Sequence, residues 1–106
     1  MNPFPEKFHR RAFNRKLTDE EFAKVKAGHL RGDMDDRWII YFQQPWLFFY
    51  RSWTENCIYK VHIVEKKDAY YIDEILTNGE QSQYKYVEEN EPTFFEHILN
   101  LFFSFP

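Results

Sequence analysis

Two short segments concentrate the residue types that do chemistry. The first is His29-Leu30-Arg31-Gly32-Asp33-Met34-Asp35-Asp36-Arg37-Trp38, with three aspartates inside four positions. Asp33, Asp35 and Asp36 could offer oxygen ligands to Mg²⁺ or Ca²⁺. The spacing departs from a calcium loop, since the later glycine and the closing glutamate are missing. The plainer reading is turn chemistry, in which Asp side chains hydrogen-bond nearby backbone N–H groups. No metal is therefore assigned. His29 is the histidine nearest this loop and, oriented by Asp33, could serve as an acid or base.

The second segment is Arg51-Ser52-Trp53-Thr54, a cation, two hydroxyls and an indole in consecutive positions. Arginine grips planar anions through paired N–H groups and stacks on aromatic faces. Both residue types also anchor interfaces. A structural alternative has Arg51 pairing with the aspartates while Trp53 enters the core. In a hairpin, the start of one strand lies beside the end of the next. Asp36-Arg37-Trp38 should then neighbour Arg51-Ser52-Trp53, and Asp33, Asp36, Arg37, Trp38, Arg51, Ser52, Trp53 and Thr54 form one candidate ligand-binding or interaction site. No catalytic residue is assigned beyond the acid–base option at His29.

Elsewhere the chemistry is sparse. Cys57 is the single cysteine, so no intrachain disulfide can form, and a lone thiol suits a reducing compartment. On an apolar strand face it reads as an inert buried group. There is no phosphate-cradling glycine loop, no nucleophile elbow and no paired-histidine zinc helix. No cofactor is expected. An enzyme is less favoured than a binding protein.

These segments need a scaffold, and the chain of 106 residues is long enough for one domain. Aromatic residues make up 21% of it, 12 of them Phe. Each buried ring removes roughly 150–250 Å² from water, which helps a small domain close a core. A net charge of −3 argues against a general nucleic-acid binder, though it leaves room for a local basic patch. The N-terminal residues have no apolar signal-peptide core, and the apolar run 38–50 is broken by Gln43, Gln44 and Pro45. No membrane partner and a cytoplasmic location are expected.

Residues 1–15 read as a basic arm carrying Lys7, Arg10, Arg11 and Arg15, interleaved with Phe4, Phe8 and Phe13. A single domain follows over 16–106. Thr18 and Glu21 form a capping box, with Leu17 and Phe22 as a staple, for a helix from Asp19 to Ala27 that stops at Gly28. Strands are expected over 37–43, 46–53, 56–65 and 69–77, joined by Gln44-Pro45 and Lys66-Lys67-Asp68. In the third, Cys57, Tyr59, Val61 and Ile63 should share one face, opposite Lys60 and His62. After Gly79, a polar stretch leads to a helix opening at Pro92, where Phe95, Ile98, Leu99 and Phe102 make an apolar stripe. The expected fold is α+β: a four-stranded antiparallel meander with an N-terminal and a C-terminal helix on one face. Apolar residues left over on the last helix could be covered by the arm, or by a second copy in a homodimer.

The strings Lys16-Leu17-Thr18, Gly32-Asp33-Met34-Asp35-Asp36-Arg37-Trp38, Arg51-Ser52-Trp53-Thr54 and Ile58-Tyr59 resemble a family of small uncharacterised bacterial domains. The resemblance spans roughly residues 16–103. Its pattern runs G-D-M-D-D-R-W, a hydrophobic strand, R-S-W-T-G and I-Y-x-V, and the resemblance implies a domain sometimes found in or beside proteins labelled as ADP-ribose-processing, such as macro-domain or ADP-ribosylglycohydrolase proteins. It implies that the acidic loop and the Arg-Ser-Trp-Thr segment belong together. This chain departs from it at Glu55, where the family has glycine.

Three functions are compatible with these features. One is a non-catalytic module binding a small anionic ligand or a protein. Another is a small enzyme or ligand-binding domain for a nucleotide or ADP-ribose-like molecule. The third is a homo-oligomer subunit or toxin-neutralising partner using the Phe-rich helix.

Overall fold

The computed structural model describes residues 1–30 and 37–104. Seven elements follow one another: β1 (Phe8–Leu17), α1 (Asp19–Ala27), β2 (Trp38–Gln43), β3 (Trp46–Arg51), β4 (Cys57–Lys66), β5 (Ala69–Asn78) and α2 (Glu91–Ser104). The architecture is α+β. The sheet has five antiparallel strands in the order β1-β5-β4-β3-β2, so the expected meander of four is extended by one.

The added strand comes from the stretch read as a basic arm. Along β1, Arg11, Phe13, Arg15 and Leu17 are at least half-buried while Arg10, Ala12, Asn14 and Lys16 are exposed. Arginine can occupy these inward positions because its long aliphatic stem packs on apolar surface, and the Arg15 head closes on Glu21 at 2.8 Å. That substitution hides the alternation from a reader of hydropathy. A basic outer edge also resists pairing with other strands. Residues before β1 are tied down as well: the Asn2 N–H donates to the Glu55 carbonyl at 3.0 Å, and the Lys7 carbonyl accepts from Gly79 at 2.9 Å.

Helix α1 follows its sequence signals closely. The Glu21 N–H donates to Thr18 Oγ1 at 3.0 Å, and the Thr18 N–H donates to Glu21 Oε1 at 2.9 Å. Gly28 ends the helix at φ 69°, and a Cβ there would lie 2.5 Å from the Ile40 carbonyl oxygen. Glycine is thus demanded twice, by the left-handed backbone and by the close approach. Just beyond, His29 and Ile40 exchange two backbone hydrogen bonds of 2.8 Å, which covers part of the outer edge of β2.

Tight connections set the register. Gln44-Pro45, with a cis peptide bond, joins β2 to β3, and Lys67 and Asp68 take φ of 50° and 65° between β4 and β5. Two successive left-handed residues match the twist of a two-residue hairpin. Both helices contribute to one core, where Val25 meets Leu17, Ile40, Leu47, Phe49, Val61, Ile72 and Ile75, together with Phe95, Ile98, Leu99 and Phe102. Phe49 is its hub, with ring centres 6.3 Å from Trp38, 6.1 Å from Tyr59, 5.8 Å from Phe95 and 6.2 Å from Phe102. These four contacts are edge-on, the arrangement favoured by the ring quadrupole.

The expected apolar stripe of α2 is therefore buried. Part of its flank is closed by β1: Phe13 meets Phe95 edge-on at 5.7 Å, and the Arg15 guanidinium lies 5.0 Å over Phe103. Phe94 and Leu101 stay exposed.

Candidate functional site

The hairpin that the site requires is formed. Trp38 stands opposite Arg51 in the β2–β3 register, and the Ser52 N–H donates to the Arg37 carbonyl at 3.0 Å. Of the sequence-derived residues, Arg37, Trp38, Arg51, Ser52, Trp53 and Thr54 are brought together at this end of the hairpin. Asp33, Asp35 and Asp36 lie outside the described residues, and with them any ion pair, metal or acid–base role they would carry. Among the described residues no group of three or more His, Cys, Asp and Glu side chains could hold a metal ion.

The two tryptophans have opposite fates. Trp38 is 6% exposed and enters the core, whereas Trp53 is 86% exposed. The structural alternative that put Trp53 in the core is thereby corrected. The reason lies in where β3 ends. After Arg51 the chain leaves the ladder: the Glu55 N–H donates to the Arg51 carbonyl at 2.8 Å and the Arg51 N–H to the Asn56 carbonyl at 3.0 Å. This closes a loop with Trp53 at its tip.

That loop is braced. Asn2 Nδ2 donates to Asn56 Oδ1 at 2.7 Å and to the Thr54 carbonyl at 3.3 Å, and Thr54 Oγ1 accepts from the Asn56 N–H at 3.2 Å. Glu55 adopts φ 62°, a left-handed conformation that glycine takes without strain. A side chain is thus held here in a conformation that costs roughly 1 kcal/mol or more. The Glu55 carboxylate lies 3.7 Å from the Met1 ammonium.

Beside Trp38, the Arg51 Cζ lies 5.0 Å from the indole centre. At this distance the guanidinium charge is within cation–π range of the ring. His29 is placed away from this pair, beside Ile40, two residues along β2 from Trp38.

Three residues that sequence reasoning missed lie close by. Glu91, the first residue of α2, is 2% exposed. It accepts hydrogen bonds from Tyr59 at 2.9 Å and Tyr84 at 2.6 Å, and the two phenol oxygens are 3.4 Å apart. Burial pushes the Tyr59 phenol far above the ordinary range, with Tyr84 and Glu91 adding to the effect. Burial and the bond to Glu91 raise Tyr84 too, while the Tyr59 hydrogen bond and the Arg51 charge pull it down. Both phenols remain protonated donors. Tyr59 also reaches Trp38, with ring centres 6.3 Å apart, so this network supports the floor on which Arg51 rests. Glu91 sits in sequence among Glu88, Glu89 and Pro92, where it reads as an ordinary helix-opening acid. Nothing in its spacing marks it as buried.

Cys57 is buried as expected, but on the other face of the sheet from Tyr59. It pairs with Tyr50, while Tyr59 pairs with Phe49; Ile58 is the extra residue of a bulge, and alternation restarts after it. Its Sγ donates to the Tyr59 carbonyl at 3.4 Å. Burial pushes the thiol up to about 12, against smaller opposing effects of the Phe49 backbone and Lys60. It is not a nucleophile at neutral pH.

No family model matches the chain, and no curated protein or solved structure matches it at a significant level. No helix among the described residues is long and apolar enough to cross a membrane.

Proposed function

We propose that this domain is a non-catalytic binding module whose working surface is the corner formed by Arg37, Arg51, Trp53 and Thr54, seated on Trp38. The observation that carries this reading is the exposed Trp53 on a loop braced by Asn2 and Asn56. An indole in water on a fixed loop costs hydration without serving the core, and such residues recur as binding anchors. Arg51, 5.0 Å over the Trp38 ring, supplies the cation. Together they suit a small planar anion, and the resemblance to domains associated with ADP-ribose processing makes ADP-ribose or a nucleotide the first ligand class to try. The same corner would also take an acidic segment of a protein partner.

A thermal-shift series against ADP-ribose, AMP and inorganic phosphate tests this. The expected result is a raised melting temperature with one of the two planar ligands, since a ligand specific for the folded state stabilises it by mass action. Trp53→Ala should melt like the parent without ligand and lose the shift. An unshifted parent at millimolar ligand, or an undiminished shift in Trp53→Ala, would remove the small-anion form of the reading.

Self-association through α2 has narrower support. Phe94 and Leu101 are exposed and lie seven positions apart, on one side of the helix. Two residues make a small interface beside the roughly 800 Å² per partner of a stable one. Sedimentation of the parent and Leu101→Glu at high concentration separates the cases.

A further inference from the structure

The sheet face turned away from both helices is built differently from the core face. In the register, Tyr41 stands opposite Phe48, Phe48 opposite Lys60, and Gln43 and Trp46 occupy the next row with His62. Tyr41 is 45% exposed, and Trp46, Phe48, Tyr50, Lys60 and His62 are half-buried. Phe48 and Tyr50 lie within 26° of parallel, with centres 6.1 Å apart. The Lys60 ammonium stands 4.5 Å from the Trp46 ring centre and 5.9 Å from that of Phe48.

Charge on this face decides what could cover it. Among the described residues its two acids are already engaged, Glu74 by Arg10 at 3.4 Å and Asp73 by His62 at 2.7 Å. Lys60, set among rings, meets no carboxylate among the described residues. A neutral apolar partner would strip water from Lys60 and return nothing. A second copy centred on this face by a two-fold axis would bring two Lys60 ammoniums into one desolvated interface. An occupant with flat apolar faces and regularly placed negative charge satisfies both the rings and the cation.

We infer that this open sheet face docks single-stranded nucleic acid, with bases on Tyr41, Phe48 and Tyr50 and a phosphate at Lys60. Aromatic platforms of this kind hold bases by stacking and take little notice of sequence. The overall charge of −3 opposes approach from a distance, so affinity should rest on stacking more than on long-range attraction. This surface is separate from the Trp53 corner.

Fluorescence anisotropy of labelled dT12 and U12 oligonucleotides with the full chain tests the proposal. Saturable binding is expected at low salt, weakening with a logarithmic salt slope of about −1, as for one or two neutralised phosphates. Lys60→Glu and Tyr41→Ala should each weaken binding about tenfold or more, the loss expected for one stacked base or one phosphate contact. Absence of saturable binding by the parent, or equal binding by Lys60→Glu and Tyr41→Ala, overturns the proposal. So does a dimer abolished by Tyr41→Arg in a chain that ignores both oligonucleotides, which would give the face to a second copy. Should Tyr41→Ala fail to fold by circular dichroism, Lys60→Glu and Lys60→Gln carry the test.

Discussion

Arg51 lies 5.0 Å above the indole of Trp38, its direct cross-strand partner, while Trp53, two residues further on, stands in solvent. One hairpin end thus presents a cation on a buried ring beside an exposed ring. The sheet on which it is mounted is closed by aromatic contacts from both helices.

Truncating the three residues should separate support from surface. Trp38→Ala removes a buried ring and should cost roughly 3–5 kcal/mol. Arg51→Ala loses a partly exposed cation–π contact and should cost about 1 kcal/mol, a fall in melting temperature of roughly 4–8 °C for a domain near this size. Trp53→Ala should stay within about 0.5 kcal/mol of the parent. Urea denaturation monitored by circular dichroism gives all three. A large loss for Trp53→Ala would make that residue part of the fold.

At Glu91, a buried carboxylate held by two phenols should be costly to break and cheaper to neutralise. Glu91→Ala leaves Tyr59 and Tyr84 without their shared acceptor and should lose about 3 kcal/mol or more. Glu91→Gln keeps an acceptor oxygen and should lose less, and Tyr84→Phe about 1–2 kcal/mol. Equal stability of the parent and Glu91→Ala in the same denaturation series would show that the network contributes nothing.

Alkali should unfold the protein through groups whose protons the fold retains. Cys57 is raised from an ordinary 9.0 to about 12, and Tyr59 and Tyr84 are raised above their usual 10.0. Above those ordinary values the unfolded chain binds fewer protons than the native one, so stability falls as pH rises. The stabilisation is complete below about pH 9, begins to decline there through Cys57 and declines further above pH 10 through the tyrosines. Cys57→Ala should remove the first part of the slope and Tyr59→Phe part of the second. Melting temperatures from pH 8 to 11 measure this, and a flat profile would contradict it. In the same range of conditions, the native thiol should react with a disulfide reagent only as fast as the chain opens.

Much of the scaffold was legible because its signals are local. The capping box at Thr18 and Glu21, the stop at Gly28, the Gln44-Pro45 and Lys67-Asp68 turns and the stripe of α2 all depend on residues a few positions apart. β1 escaped because its inward positions are held by Arg11 and Arg15, whose stems pack while their charges mislead. The Cys57 face was misread because alternation carries across a strand only while no bulge intervenes. Glu91 was invisible because its burial is created by Tyr59 and Tyr84, 32 and 7 residues away.

By itself, the sequence determined the class of fold, the meander of four strands and the meeting of Arg37-Trp38 with Arg51-Ser52, since hairpin register follows from short turns and periodic side chains. Tertiary structure alone decided that Trp38 goes inside while Trp53 stays out, that a fifth strand completes the sheet, and that a carboxylate lies beneath the site. Those outcomes depend on which surfaces distant segments cover. Burial is a property of the assembled layers, and no single stretch of chain carries it.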